Sequence, residues 1–198
     1  DGTIYVATSK GLFTCAVDTN TDVMHMQPYT DTRLSGLNFT HIENQGNLIW
    51  GIRNTREIYV FDQDGLISVV DVSDDIADEL SAIACLNDVI YIGSNGRDVL
   101  RFNTRYNYEK MISVVEGIND FMLDNNGLVW VLADNGLGYF DSKSNFTKLY
   151  DCVFEGYLSD MIMDYEGNYW LSSSRMGVLL LSRSKFSDFN LLSGMEDA

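Results

Sequence analysis

Apolar residues along this chain fall into short runs of about five, rich in β-branched and aromatic types and bounded by Gly, Asn or Asp. Runs of that kind predict antiparallel strands joined by tight hairpins. No convincing amphipathic helix is present; Ser73 to Leu80 allows at most a helical turn inside a connection. One aromatic per unit sets a register. Tyr5, Trp50, Tyr91, Trp130 and Trp170 each sit inside a strand-like run, at spacings of 45, 41, 39 and 40 residues. All three tryptophans of the chain occupy this one slot, which chance placement would rarely produce.

The flanks of the slot repeat as well. A turn ending in glycine precedes the aromatic in Asp1-Gly2, Glu43-Asn44-Gln45-Gly46, Asp124-Asn125-Asn126-Gly127 and Asp164-Tyr165-Glu166-Gly167, and a shorter turn, Asn87-Asp88, does so in the third unit. The carboxylate or amide opening such a turn bonds the turn backbone, and glycine takes the positive φ. After the aromatic come a second turn and another apolar run, such as Glu57-Ile58-Tyr59-Val60-Phe61 or Gly136-Leu137-Gly138-Tyr139-Phe140. Then follows a third polar turn, such as Asp62-Gln63-Asp64-Gly65. Upstream lies one more run, clearest in Asn119 to Leu123 and Ser159 to Met163. Four short strands in about forty residues, repeated, predict an all-β fold of β-propeller blades. Neighbouring blades stack face to face, with the recurrent Trp or Tyr filling the gap. The expected units are a partial blade at 1–35, blades at 36–78, 79–116, 117–156 and 157–190, and a connection toward a next blade at 191–198. About five blades, the first lacking its opening strand, suit an arc of a larger ring; Asp1-Gly2-Thr3 reads as the interior of a longer protein.

Composition narrows the partners. Of 198 residues, 29 are acidic and 13 basic, a net charge of −16 that repels nucleic acid and anionic membrane surfaces. Three cysteines do not make a disulfide scaffold. Cys15, Cys85 and Cys152 lie in or beside apolar runs and read as small buried hydrophobes. The longest strictly apolar stretch, Val178 to Leu181, falls far short of the roughly 20 residues a membrane helix needs.

The unit reads as strand, Asp-x-x-Gly, an apolar-Trp strand ending in Ser or Thr, then a glycine turn and another strand. Its clearest copies run from Asp160 to Val178 and from Asp120 to Val131. It resembles the two-component regulator propeller repeat of bacterial sensor proteins, in five copies over nearly the whole chain. Unit two departs from the pattern, with Arg53-Asn54-Thr55-Arg56-Glu57 in place of the glycine turn. The resemblance implies a seven-bladed propeller outside the cytoplasmic membrane, feeding a signal through a membrane helix to a kinase or cyclic-dinucleotide synthase. The stretch from Trp170 to Asn190 looks most like propellers fused to diguanylate cyclases of anaerobic Firmicutes. The output domain would lie in the parent protein.

Catalytic chemistry is sparse. His25 and His41 have no cysteine or second histidine at ligand spacing. Neither a phosphate loop nor a nucleophile elbow occurs. Acidic turns such as Asp62-Gln63-Asp64-Gly65 lack the ligand count of a calcium loop. Asn38-Phe39-Thr40 and Asn145-Phe146-Thr147 match the glycosylation sequon, an accident in a chain of bacterial character. No metal, cofactor or catalytic residue is therefore expected.

Cations, by contrast, collect in the turns between second and third strands. Lys10, Arg53, Arg56, Arg97 and Arg175 make five of the thirteen basic residues. In a propeller these turns share one rim with the connections between blades. The same rim should carry Asn119, Asp120, Ser159 and Asp160 at the starts of inner strands. Arg53, Arg56, Arg97, Arg175 and these four residues form the expected ligand-binding set, with arginine supplying planar bidentate donors to an anionic or hydroxyl-rich ligand such as a saccharide; solvated turn cations are the plainer reading. The function expected is a non-enzymatic, extracytoplasmic ligand-sensing module of a membrane-anchored bacterial receptor. Its partners would be a small molecule, the adjoining receptor domains and, in a homodimer, a second copy. A metal-dependent lyase like the streptogramin lyases, which also repeat a glycine-turn-Trp motif, and a protein-binding scaffold are the alternatives.

Overall fold

The computed structural model describes residues 3–18, 20, 21, 23–149 and 157–182. They form five antiparallel sheets in chain order. The first holds β1 (Ile4–Thr8), β2 (Gly11–Asp18) and β3 (Val23–Pro28). After a short helix, α1 (Thr32–Ser35), the second holds β4 (His41–Gln45), β5 (Leu48–Arg53), β6 (Glu57–Asp62) and β7 (Gly65–Asp71). The third is β8 (Leu80–Leu86), β9 (Val89–Ser94), β10 (Asp98–Phe102) and β11 (Tyr108–Ile112), and the fourth β12 (Ile118–Leu123), β13 (Val129–Ala133), β14 (Gly136–Phe140) and β15 (Phe146–Lys148). The last comprises β16 (Leu158–Met163), β17 (Tyr169–Ser173) and β18 (Gly177–Leu181). Every sheet is a simple meander. The chain is thus all-β, built as successive propeller blades.

The aromatic slot is the second strand of every blade. Tyr5 lies on β1, Trp50 on β5, Tyr91 on β9, Trp130 on β13 and Trp170 on β17. No strand equivalent to β4 precedes β1 among the described residues. The opening strands β4, β8, β12 and β16 lie side by side in that order, which places them around a common axis with their sheets radiating outward.

Alternation with period two gives each sheet two apolar faces, and four clusters fill the gaps between neighbours. In the first four blades the slot aromatic points at the following blade. Tyr5 packs on Phe61 at 6.2 Å between centroids, Trp50 on Phe102 at 5.0 Å, Tyr91 on Phe121 at 6.1 Å and Trp130 on Tyr169 at 5.1 Å. These tilted and edge-on pairings suit ring quadrupoles. Close approach of blades also fixes one glycine. A Cβ on Gly93 would stand 2.6 Å from Ile118 Cγ2 and 3.0 Å from Phe121 Cζ in the next sheet.

The hairpins follow the turn residues. Asn87 and Asp88, at φ 49° and 60°, make the two-residue turn expected for the third unit. Between Val72 and Leu80, one helical turn does form: the Val72 carbonyl accepts from the amides of Asp75 and Ile76. The α1 helix was not anticipated; Asp31 caps it by accepting from Arg33 N and also receives Leu66 N at 3.0 Å, tying the connection to the second blade. Cys15 is buried, whereas Cys85 is only half-buried. Cys152 and the connection at 191–198 lie outside the described residues.

Candidate ligand-binding rim

At three junctions the rim is assembled by main-chain bonds between a second-to-third turn and the opening of the next blade. Thr55 O accepts from Leu80 N at 2.7 Å, Gly96 O from Gly117 N at 3.1 Å, and Asp134 O from Tyr157 N at 3.0 Å. The turns that carry Arg53, Arg56 and Arg97 therefore sit beside the starts of inner strands.

Each of β8, β12 and β16 opens with a bulge. Register with the second strand slips between Leu80 and Ala82, between Ile118 and Asp120, and between Leu158 and Asp160. Ser81, Asn119 and Ser159 are the extra residues, and the bulge turns their side chains out of the ladder. Ser81 Oγ donates to Ile118 O at 2.6 Å, and Asn119 Nδ2 donates to Leu158 O at 3.0 Å. The same device thus ties blade three to four and blade four to five. Asn119 Nδ2 also reaches Asp134 Oδ1 at 2.8 Å. Ser159 bonds Ser172 of its own sheet instead.

One residue further along, Asp120 and Asp160 occupy matching registers, opposite Leu132 and Ser172. His41 and Ala82 hold the corresponding places in β4 and β8. Burial pushes the Asp120 carboxyl up to about 6; the bond from Phe121 N opposes this, and the charges of Asp160 and Glu43 reinforce it. Asp160 accepts from Met161 N at 2.7 Å. The inner edge of the rim is accordingly carboxylate-rich.

The arginines are less free than turn residues usually are. Arg53 pairs with Glu57 at 3.0 Å and donates to the Tyr59 hydroxyl at 3.3 Å. Arg97 pairs with Glu116, and Arg56 donates to the Ala77 carbonyl. The Arg175 guanidinium lies 4.7 Å from the centre of the Tyr157 ring. Asn119, Asp120, Ser159 and Asp160 come together on adjacent inner strands. No hydrogen bond or ion pair joins them to Arg53, Arg56, Arg97 or Arg175.

The opposite rim holds a feature that sequence reasoning missed. A polar cavity of about 400 Å³ opens between the first two blades, lined among others by Tyr5, Asn44, Asn47, Asp62, Gln63 and Asp64. Burial, then the charges of Asp62 and Asp64, push the Tyr5 hydroxyl up. The amides cluster there because the first-to-second and third-to-fourth turns share that rim. Their residue types alone are ordinary turn chemistry, so only the topology could have grouped them. Among the described residues, no three His, Cys, Asp or Glu side chains converge to hold a metal, and no helix is long and apolar enough to cross a membrane.

No family profile and no curated protein matches the sequence. The fold does match solved structures. The extracellular domain of a hybrid two-component system from B. thetaiotaomicron aligns with a TM-score of 0.66 at 14% identity, over 93% of this chain and 26% of that one. Virginiamycin B lyase from Staphylococcus aureus aligns at 0.63 and 10% identity, over 91% of this chain and 69% of the lyase. YCF48 bound to a D1 peptide aligns at 0.63 and 13% identity, over 90% of this chain and 61% of that one. Identities this low carry the architecture and nothing finer: the chain is an arc of about five blades of a β-propeller.

Proposed function

We propose that this chain is the ligand-sensing propeller of a bacterial membrane signalling receptor, facing the extracytoplasmic side and non-catalytic in itself. The observation that carries the reading is the inner edge of the rim, where Asn119, Asp120, Ser159 and Asp160 stand at matching registers of adjacent strands. Its likeness to the extracellular domain of a two-component system supports it, as does the repeat's resemblance to sensor propellers. Because Arg53 and Arg97 already have carboxylate partners, the rim suits a neutral, hydroxyl-rich ligand such as a saccharide better than an anion. Carboxylates and amides accept from and donate to hydroxyls without needing net positive charge. Signal would leave as a population shift, the ligand favouring one packing of the propeller against its neighbouring domain.

A thermal-shift screen of saccharides, polyols and organic acids tests this. A ligand at a hundredfold its Kd adds about 2.7 kcal/mol, so Tm should rise by about 5–10 °C. Asn119→Ala with Asp160→Ala should abolish the shift, whereas Asn44→Ala with Asn47→Ala should leave it. The reverse pattern would move the site to the opposite cavity. Alanine at Arg53, Arg97 and Arg175 should weaken binding of an organic acid while leaving a neutral sugar unaffected.

The lyase likeness keeps a second reading in play. It requires a metal at His25 or His41, which lie on different sheets. A Tm raised by a divalent cation and lost in His41→Ala would favour it.

A further inference from the structure

The boundary between the third and fourth blades lies well inside the chain, and both of these blades have all four strands. It is built differently from its neighbours. In the second, fourth and fifth blades the slot indole donates to a side chain of the preceding turn: Trp50 to Gln45, Trp130 to Asp124 and Trp170 to Asp164. The third blade instead has the two-residue turn Asn87-Asp88 and a tyrosine in the slot. Tyr91 is only 8% exposed, yet its hydroxyl makes no hydrogen bond among the described residues.

A cavity of about 240 Å³ opens beside that hydroxyl, where the first-to-second and third-to-fourth turns of these blades meet. Tyr91, Met111, Val129 and Phe140 give it apolar walls, and Arg101 and Asp141 line it too. Arg101 is out of pattern. It stands opposite the slot on the third strand, where the other blades place Thr14, Val60, Tyr139 and Leu180. Its ion pair with Glu109 spans 3.8 Å, with the two side chains 42% and 60% exposed, so that pair holds it weakly. Asp141 is kept anionic by its own turn, accepting from Asn145 N at 2.9 Å and Asn145 Nδ2 at 3.1 Å. Arg101 and Asp141 form no ion pair with each other. One apolar cleft therefore offers a guanidinium, a carboxylate and an unpartnered phenol hydroxyl.

We propose that this cavity binds a free apolar α-amino acid as its zwitterion, the carboxylate on Arg101 and the Tyr91 hydroxyl, the ammonium on Asp141, and the side chain between Met111, Val129 and Phe140. The volume falls below the roughly 300–1,000 Å³ of sites for drug-sized molecules, which limits the occupant to a small one. A guanidinium meets a carboxylate with planar paired donors, and the phenol adds a third. A ligand with one charge alone leaves either Arg101 or Asp141 unmatched in a partly desolvated cleft, so both ligand charges contribute to selection. The site is separate from the rim of Asn119 and Asp160 and stands whether or not that rim binds a saccharide.

Calorimetric titration of the full chain with L-leucine tests this, against isocaproate, which lacks the ammonium, and isoamylamine, which lacks the carboxylate. Circular dichroism confirms that each variant folds. L-Leucine should bind, and each analogue should bind at least about tenfold more weakly. Arg101→Gln should erase the preference for L-leucine over isoamylamine, and Asp141→Asn the preference over isocaproate. Tyr91→Phe should weaken L-leucine about threefold by removing one neutral donor. Arg105→Gln, which takes the same charge from an exposed turn of the same blade, should bind L-leucine as wild type does. A wild type that binds none of L-leucine, L-methionine and L-phenylalanine at millimolar concentration overturns the proposal. So does isocaproate binding as tightly as L-leucine, or L-leucine binding that is unchanged in Arg101→Gln and in Asp141→Asn.

Discussion

A single carboxylate organises each well-formed hairpin before the slot. Asp124 accepts from Asn126 N at 2.8 Å, Leu128 N at 3.0 Å and the Trp130 indole at 3.3 Å, and it receives the Tyr169 hydroxyl of the next blade at 2.9 Å. Burial would raise its pKa, but these bonds outweigh it and hold the carboxyl below its ordinary range. Asp164 repeats the pattern with Asn168 and the Trp170 indole, and those bonds bring it down to about 2. In the second blade Gln45 takes the indole of Trp50 at 2.9 Å. The Asp-x-x-Gly turn and the tryptophan were both legible in the sequence. Their bond to each other was not, because it needs the strand's twist to bring the indole over the turn. Trp130→Ala should cost about 3–5 kcal/mol, as expected for a fully buried indole, and Trp170→Ala less than half of that; chemical denaturation of the two variants measures the difference. Asp120 behaves oppositely to Asp164. Its ionised form is disfavoured in the fold, so its stabilising contribution is full below the ordinary carboxyl range near 3.9 and is lost as pH rises through about 6. The Asp164 contribution is present above that range and is lost as pH falls through about 2. Asp120→Asn should therefore raise Tm by several degrees at pH 7.5 and by nothing at pH 4, as scanning calorimetry at the two values would record.

Among elements, strands and hairpins were readable because their determinants are local. Asn87-Asp88 announces a two-residue turn, and alternating apolar runs announce half-buried strands. The bulges at Ser81, Asn119 and Ser159 were not readable. Each earns its place through a bond to a neighbouring sheet or to its own second strand, and local propensity says nothing about that. Helix α1 escaped notice for a similar reason: its four residues are too few for periodicity, and its cap, Asp31, works by reaching the β6–β7 hairpin. Gly93 shows the same long-range control. Its position on β9 is conformationally ordinary, yet the next blade leaves no room for a side chain. Gly93→Val should destabilise the fold by about 1–3 kcal/mol through overpacking, with a matching fall in the denaturation midpoint.

For the whole molecule, the repeat spacing alone fixed the architecture, since only stacking of equivalent sheets buries both faces of each blade. Which turns share a rim followed directly from that topology. The electrostatics of the rim did not. Glu57 and Glu116 pair with Arg53 and Arg97 from other strands or connections, so two of the five turn cations already have carboxylate partners. The likeness to an extracellular sensor domain and the likeness to a lyase are equally architectural, and ligand binding, rather than fold, separates them.

The three indoles occupy one slot in three blades but meet water very differently, at 1%, 5% and 40% exposure for Trp50, Trp130 and Trp170. A collisional quencher such as acrylamide therefore reaches one emitter of the three, and the accessible fraction of the tryptophan fluorescence reports on the β16–β18 blade alone. The protein carries its own optical probe, and no label is needed to see when that blade is covered.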